Sequence, residues 1–403
     1  MALTHWQLGE RQVVVSHKEE AITVSLTDKE LVSYDLAGRF LGSYDHGTNI
    51  RRGLDNTFQQ RWRLKRDNGD RLRHRILPDL EARAHLEGLR SQFSQLLDDK
   101  ATARAHSTTA EALRRTAAYT YDRLAESART FASLYGHIPI LPPDQYRALV
   151  VQATDGCTYN RCTFCTLYRD KPFRVRSPED FRRHIQQVLD FMEAGLSYRN
   201  SLFLGDANAI AITTTRLAEL MDVLRGATAL KPLFNRGGVH AFLDIYTGTG
   251  KSGQDYRTLK DKGLRRVSLG VESGSEDLLA FVRKPGTRQD IQENPGPAEY
   301  GGVAVVIIFM IGLGGHRYRE EHLAESASLV RMLPLSRGDI IYLSQFTAGP
   351  RAPYLSIAKQ AGIRPMTAEE IDEETRRWKT VLGRAVGQTG AKVAPYSFQR
   401  FIY

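Results

Sequence analysis

From Arg147 to Phe346 short apolar runs alternate with segments of helical periodicity, and no other feature of the chain limits its fold as much. The runs are ALVVQAT, SLFLGDA, HAFLDIY, RVSLGVE, VAVVIIFMIG and DIIYLSQF, beginning at residues 148, 201, 240, 266, 303 and 339. Their length and residue types predict strands. The helices between them are signalled by their ends. Ser177 stands as an N-cap before Pro178, with Glu179 and Asp180 in the first turn, where the helix dipole favours acids. Further helices are predicted over Thr214–Arg225, ended by Gly226, and near Gln254–Lys262 and Glu320–Met332. Strands that alternate with helices pair in parallel through helical crossovers. Six such strands predict an α/β fold, a partial (β/α)6 barrel of the TIM type, with its chemistry at the C-terminal strand ends. The crossover between Val271 and Val303 contains Asn294-Pro295-Gly296-Pro297, so its helix is expected to be short or broken.

The flanking sequence divides the 403 residues further, into a β-rich basic N-terminal module (1–76), a helical hairpin (77–143), the barrel (144–349) and a C-terminal closing segment (350–403). RQVVVSHKEEAITVSL and a hairpin around Gly38 supply the β character. A basic stretch runs through Arg61, Trp62, Arg63, Lys65, Arg66, Arg71, Arg73 and Arg75, interrupted by the turn signal Asp67-Asn68-Gly69. Helices are predicted over 78–105 and 108–135, the second opening on a Thr108/Glu111 capping box and closing at Gly136 before Pro139. In the closing segment a helix is expected from Ala368 to Leu382, then a loop. The N-terminal residues carry no signal-peptide pattern, and the longest apolar run, Val303–Leu313, is too short to span a bilayer. A cytoplasmic location away from membranes is expected. The net charge of +10 is compatible with an acidic partner, and equally with a solubilising surface.

All three cysteines of the chain, Cys157, Cys162 and Cys165, fall within nine residues directly after the first barrel strand. Three thiols cannot make a disulfide framework, and in a reducing compartment such a cluster reads as metal ligation or redox chemistry. Thiolates suit zinc, Cu(I) and iron–sulfur clusters. A structural zinc site wants four closed ligands, and no histidine stands nearby. Three thiolates on a cubane leave one iron open, as a catalytic cluster requires.

A first strand, a loop of three clustered cysteines and an aromatic before the third resemble the radical S-adenosylmethionine (SAM) superfamily. The spacing here is C-x4-C-x2-C, one residue longer than the commonest C-x3-C-x2-C. The resemblance extends over about residues 145–349. Gly205-Asp206-Ala207-Asn208 occupies the place of the segment that meets the SAM amino group. Val271-Glu272-Ser273-Gly274-Ser275 is similar to a GLESGS stretch near the ribose and methionine moiety, which implies roles for Glu272 and Ser273. Ile308–Gly315, with Ile308 and Gly312, resembles the segment that contacts adenine, and Phe164 is expected beside the same ring.

The resemblance implies one [4Fe-4S] cluster on the three cysteines, reductive cleavage of SAM to a 5′-deoxyadenosyl radical, and hydrogen abstraction from substrate. Among Arg161, Arg169, Lys171, Arg174 and Arg176, one or two cations, Arg174 foremost, are expected to approach cluster or SAM. With no cysteine left over, a protein-borne radical donor would be a tyrosine, for which Tyr168, Tyr342 and Tyr403 are candidates. The missing fourth cysteine argues against an auxiliary cluster, and there is no D-x-H-x-x-G cobalamin motif. The implied partners are an external electron donor such as flavodoxin or ferredoxin and a substrate, a small molecule in preference to RNA. The rival reading is a non-catalytic iron–sulfur or zinc scaffold that binds a polyanion through the basic module.

Overall fold

The computed structural model describes residues 2–64, 71–246, 250–293, 295–349, 351–396 and 401–403. Lys65, Arg66, the Asp67-Asn68-Gly69 turn and Asn294 lie outside the described residues. The chain forms two units, Met1–Ile138 with Gln186–Asn200 and Arg400–Tyr403, and Pro139–Ile185 with Ser201–Gln399.

The first unit is built on an antiparallel sheet of eight strands in chain order. They are β1 (Ala2–Leu8), β2 (Arg11–His17), β3 (Ala21–Ser25), β4 (Glu30–Asp35), β5 (Phe40–Asp45), β6 (Thr48–Arg52), β7 (Phe58–Leu64) and β8 (Arg71–Ile76). Alternation decides which face is buried. Trp6, Val13, Val15, Ile22, Val24, Val32, Tyr34, Phe40 and Phe58 share one face and pack against Leu86, Leu89, Phe93, Leu96 and Leu113 of the helices that follow.

Those helices correct the two-helix expectation. They run Asp79–Asp98, Lys100–Ala105, Ser107–Ala117 and Tyr121–Tyr135. Asp99 and Thr120 break the periodic stretches because each turns its side chain to a backbone N–H of the next helix, Thr102 N and Arg123 N, both at 3.1 Å. Thr108 lies inside a helix that starts at Ser107 without a side-chain cap, so the Thr108/Glu111 capping box does not form.

The second unit carries the alternating sequence. Its sheet is β9 (Ala148–Gln152), β12 (Ser201–Gly205), β13 (Val239–Leu243), β14 (Leu264–Glu272), β15 (Ala304–Ile311), β16 (Ile340–Gln345) and β17 (Lys392–Tyr396), all parallel and adjacent in that order. Two-residue strands β10 (Thr154–Asp155) and β11 (Arg174–Val175) pair across the cysteine loop. Right-handed crossovers that always step the same way put every helix on one side, and the other side curls into an open barrel. Phe309 faces outward, its ring 5.8 Å from that of Trp378 on helix Ala368–Ala385. Ile308, Tyr342 and Tyr396 face inward with Phe242 and Tyr146.

The sheet has seven strands, one more than the sequence predicts. Lys392–Tyr396, expected as loop, pairs in parallel with β16 from Ile340↔Lys392 to Ser344↔Tyr396. Pro395 hides this strand from sequence reading, and an edge strand tolerates it. The crossover between β14 and β15 is broken as predicted, into Glu276–Phe281, Arg288–Glu293 and Pro295–Tyr300. Among the described residues no helix is long and apolar enough to cross a membrane.

At the N-terminal ends of the strands, the segment that precedes β9 is tied to side chains of the sheet. Asp144 accepts from Tyr342 Oη at 3.1 Å and pairs with Arg266 at 2.8 Å, while Tyr396 Oη donates to Leu141 O at 2.9 Å.

A carboxyl pair on the same end makes stability pH-dependent. The fully buried Asp339 accepts from Val305 N and Ser336 N, each at 2.7 Å. Glu299 bonds to it, and burial, the bond and the neighbouring charge push its pKa up to about 8. The fold thus favours the neutral Glu299, a contribution fully present below the ordinary carboxylate range and lost as pH rises through about 8. Glu299→Gln keeps a donor toward Asp339 and abolishes the titration. Between pH 6 and 9 its melting temperature should fall less than that of the wild type in parallel thermal scans.

Candidate active site

The three cysteines sit on the loop between β10 and β11, half-buried, at the open end of the barrel. Three neighbours fix the loop. Arg169 spreads its guanidinium over loop carbonyls, with Nε to Cys165 O at 3.1 Å, Nη1 to Asn160 O at 2.8 Å and Nη2 to Cys162 O at 2.6 Å. Asp206, just past β12, accepts from Gly156 N at 3.2 Å, Gln152 Nε2 at 2.8 Å and Lys171 Nζ at 3.3 Å. Asn208 donates to Thr158 Oγ1 at 3.4 Å and to Asp244, which also accepts from Thr158 Oγ1 at 3.0 Å. Cys157 is thereby held from both sides. The longer first spacing is absorbed by Asn160, which adopts φ 53° and donates through Nδ2 to Tyr168 O at 2.6 Å.

Burial pushes the Cys162 thiol up to about 12, against the pull of Lys284, and raises Cys165 as well. Cys162 feels both other sulfurs and Glu272, and Cys165 feels Cys157 and Glu272. Among the described residues the three sulfurs do not gather within 4.8 Å of one another. A tetrahedral zinc with Zn–S bonds of about 2.3 Å would hold its sulfurs only about 3.8 Å apart. A cubane, which takes each sulfur on a different iron, needs them wider. The donor set is soft, clustered and incomplete by one, and it fits a [4Fe-4S] cluster.

Opposite the loop stands a buried ion pair, Lys284 Nζ to Glu272 Oε1 at 3.2 Å. Glu272 has φ 63° and follows a register break after Gly270, and this kink turns its carboxylate inward. Gly270 leaves the room, since a Cβ there would stand 2.8 Å from Glu272 Oε1. Burial alone would lower the Lys284 pKa, but Glu272 and Cys162 outweigh it and hold the ammonium charged. Lys284 was not singled out in the sequence, where it precedes a Pro-Gly turn in the broken crossover. Asp244 was also missed, although a lone acid ending an apolar strand is a legible signal.

The remaining predicted residues divide. Phe164 packs in a cluster with Leu278, Val282, Leu313 and Tyr354, with Met310 and Phe346 alongside. Gly312, at φ 88°, directs its missing side chain toward Ile371. Ile308 lies deeper, in the barrel interior with Tyr342 and Tyr396. Gly205 packs on Val150 and Gln152, and Ala207 is half-buried. Ser273 turns to His322, its Oγ 2.7 Å from Nδ1. Arg174 is exposed and pairs with Asp155 at 2.9 Å. Tyr168 is buried beside Asp206, Cys165 and Cys157, and burial followed by these groups raises its phenol pKa. Tyr403 belongs to the other unit, against Phe131 and Tyr135 under the Arg199 guanidinium.

Breaking a buried pair leaves one charge uncompensated. In metal-free protein, Lys284→Met should cost about 3–5 kcal/mol in urea unfolding, and adding Glu272→Gln should restore most of it.

Comparison with known proteins follows this geometry. Residues 151–327 match the radical SAM superfamily. No curated protein matches the chain by sequence. Among solved structures, the chain is similar to the radical S-adenosylmethionine methyltransferase TsrM from Kitasatospora setae at 17% identity and TM-score 0.41, over 55% of this chain and 39% of that one. Coproporphyrinogen III oxidase (HemN) from Escherichia coli gives 16% and 0.40, over 64% and 56%. A radical SAM methyltransferase from Sphaerobacter thermophilus gives 12% and 0.43, over 76% and 93%. The chain spans less than two thirds of the first two. Residues 151–327 thus form a radical SAM superfamily domain.

Proposed function

We propose that this enzyme holds one cluster on Cys157, Cys162 and Cys165 and uses it to act on a substrate that enters at the C-terminal end of the barrel. The observation that carries this reading is the trio of soft donors gathered on one half-buried loop and facing a buried lysine. Bound cluster and SAM supply one-electron cleavage of the sulfonium to a 5′-deoxyadenosyl radical, which takes a hydrogen atom from substrate. The chain's own residues do the rest. Lys284 offsets thiolate charge, and Glu272 keeps it in place. Asp206, Asn208 and Arg169 hold the loop in one conformation. Phe164, with Met310 and Phe346, offers a flat apolar wall suited to a purine. Tyr168 is the tyrosine best placed to return a hydrogen atom, since it lies beside the cysteines. An external one-electron donor is required.

Anaerobic reconstitution should give about four irons and four sulfides per chain, and dithionite should then release 5′-deoxyadenosine from SAM. Any single Cys→Ala variant should lose the charge-transfer absorption and this product while keeping its far-UV circular dichroism. One zinc per chain and no SAM cleavage would favour the scaffold instead. Deuterium passing from a candidate substrate into 5′-deoxyadenosine identifies the bond attacked.

A further inference from the structure

The turn that carries Glu272 positions more than one part of the site. Glu272 stands in the left-handed region, at φ 63°, where a side chain persists only if its surroundings over-determine it. Ser273 N donates to Val271 O at 2.8 Å, and Ser275 N donates to Ser273 Oγ at 3.0 Å. Ser275 Oγ accepts from Leu278 N at 3.0 Å and so caps helix Glu276–Phe281. The carbonyl of Val282, at the end of that helix, accepts from Thr163 N at 2.9 Å and Thr163 Oγ1 at 3.1 Å, between Cys162 and Cys165. Lys284 follows, its N bonded to Leu279 O at 2.9 Å. Both members of the ion pair and one anchor of the cysteine loop are therefore built outward from residues 272–275.

One face of helix Arg319–Met332 grips this turn. Ser275 Oγ donates to Glu321, Gly274 N donates to Ser326 Oγ at 2.9 Å, and a Cβ on Gly274 would stand 2.6 Å from the Glu325 carbonyl. His322 is at the centre of the contact, with Nδ1 2.7 Å from Ser273 Oγ and Nε2 3.0 Å from Met310 O. A carbonyl only accepts, so Nε2 carries the hydrogen, and Ser273 Oγ donates to Nδ1. That oxygen also accepts from Ser275 N, so in this one tautomer every donor of the group meets an acceptor. Burial keeps the ring neutral by lowering its pKa to about 4. The ring lies in the helix layer, its centroid 4.5 Å from that of Trp378, which packs on the outward-facing Phe309. Its route to the site is through Ser273.

We infer that His322 is a positioning residue that, through Ser273, fixes the turn at Glu272 and so sets where the Lys284 charge stands against the cysteine loop. The inference deepens the proposed function, and its cluster measurement rests on that reading, whereas its metal-free measurement does not. Without an acceptor at Nδ1 the Ser273 hydroxyl loses its partner, the left-handed turn relaxes, and Glu272 no longer holds Lys284 in place. A cation near the cluster favours its reduced, more anionic state, so displacing Lys284 lowers the midpoint potential. Two substitutions separate the two nitrogens. Asparagine places an oxygen where Nδ1 stands, so His322→Asn keeps the acceptor for Ser273. Glutamine reaches the place of Nε2, so His322→Gln keeps only the donor toward Met310 O.

The first measurement is a double-mutant cycle in urea on the metal-free full chain. Lys284→Met should raise the unfolding constant about tenfold less in Ser273→Ala and in His322→Gln than in the wild type, because the pair is already displaced there. In His322→Asn it should raise the constant as much as in the wild type. The second measurement is the midpoint potential of the reconstituted cluster, titrated under electron paramagnetic resonance. Ser273→Ala and His322→Gln should lower it by about 59 mV, a tenfold change in a one-electron equilibrium, and His322→Asn should leave it in place. Should His322→Gln fail to fold, Ser273→Ala, which removes a single hydroxyl, carries both measurements. A wild type that takes up no cluster overturns the proposed function and leaves the urea cycle to decide this inference. Additive cycles, His322→Asn behaving as His322→Gln does, or an unchanged potential in Ser273→Ala at full iron content each overturns it.

Discussion

Bringing three thiols together in a half-buried loop is the constraint to which the second unit answers. Sulfur ligands act as thiolates, and burial opposes their charge, as the rise of Cys162 to about 12 records. A cation must therefore stand close, and it must stay charged where water is scarce. Lys284 meets both demands only because Glu272 holds it, and Glu272 reaches it only because the chain leaves the strand geometry at that residue. Gly270 is part of the same solution, since any side chain there would press on the carboxylate. One backbone kink, one glycine and one ion pair thus set the electrostatics of the loop.

The barrel supplies the other half of the geometry. Parallel strands in chain order bring Gly205, Asp244 and Glu272 to one end, although they are far apart in sequence. Side chains from successive strand ends then grip the cysteine loop from outside it. Asp206 and Asn208 reach it after β12, Asp244 after β13, and Lys284 after the short helix beyond β14. The segment before β9 is tied to the barrel interior through Asp144, Leu141 and their tyrosine partners.

Much of this was legible in the sequence because the signals are local. Strand runs, the Ser177 cap and the broken crossover at Pro295 each depend on a few neighbouring residues, and each formed where expected. The cysteine loop was legible because soft ligands at close spacing have few other uses. What escaped depends on long-range pairing. The seventh strand contains a proline, so only its pairing with β16 reveals it as a strand. Lys284 looks like any lysine until folding places it against Cys162. The helical region misled for a different reason. Asp99 and Thr120 compete for backbone N–H groups as caps, and periodicity alone does not reveal which polar residue prevails.

The added residue of the C-x4-C spacing shows how a loop can lengthen without loosening. An extra residue must be accommodated by backbone conformation, and here Asn160 takes the left-handed region, which asparagine tolerates better than most side chains. Its amide then bonds Tyr168 O, and its own carbonyl joins those bound by Arg169. The insertion thereby creates its own anchor. Thr158 and Tyr159, on the Cys157 side of the bend, are tied to Asp244 and packed on the Tyr246 ring. Contacts of three residues thus restrain the backbone on either side of the bend.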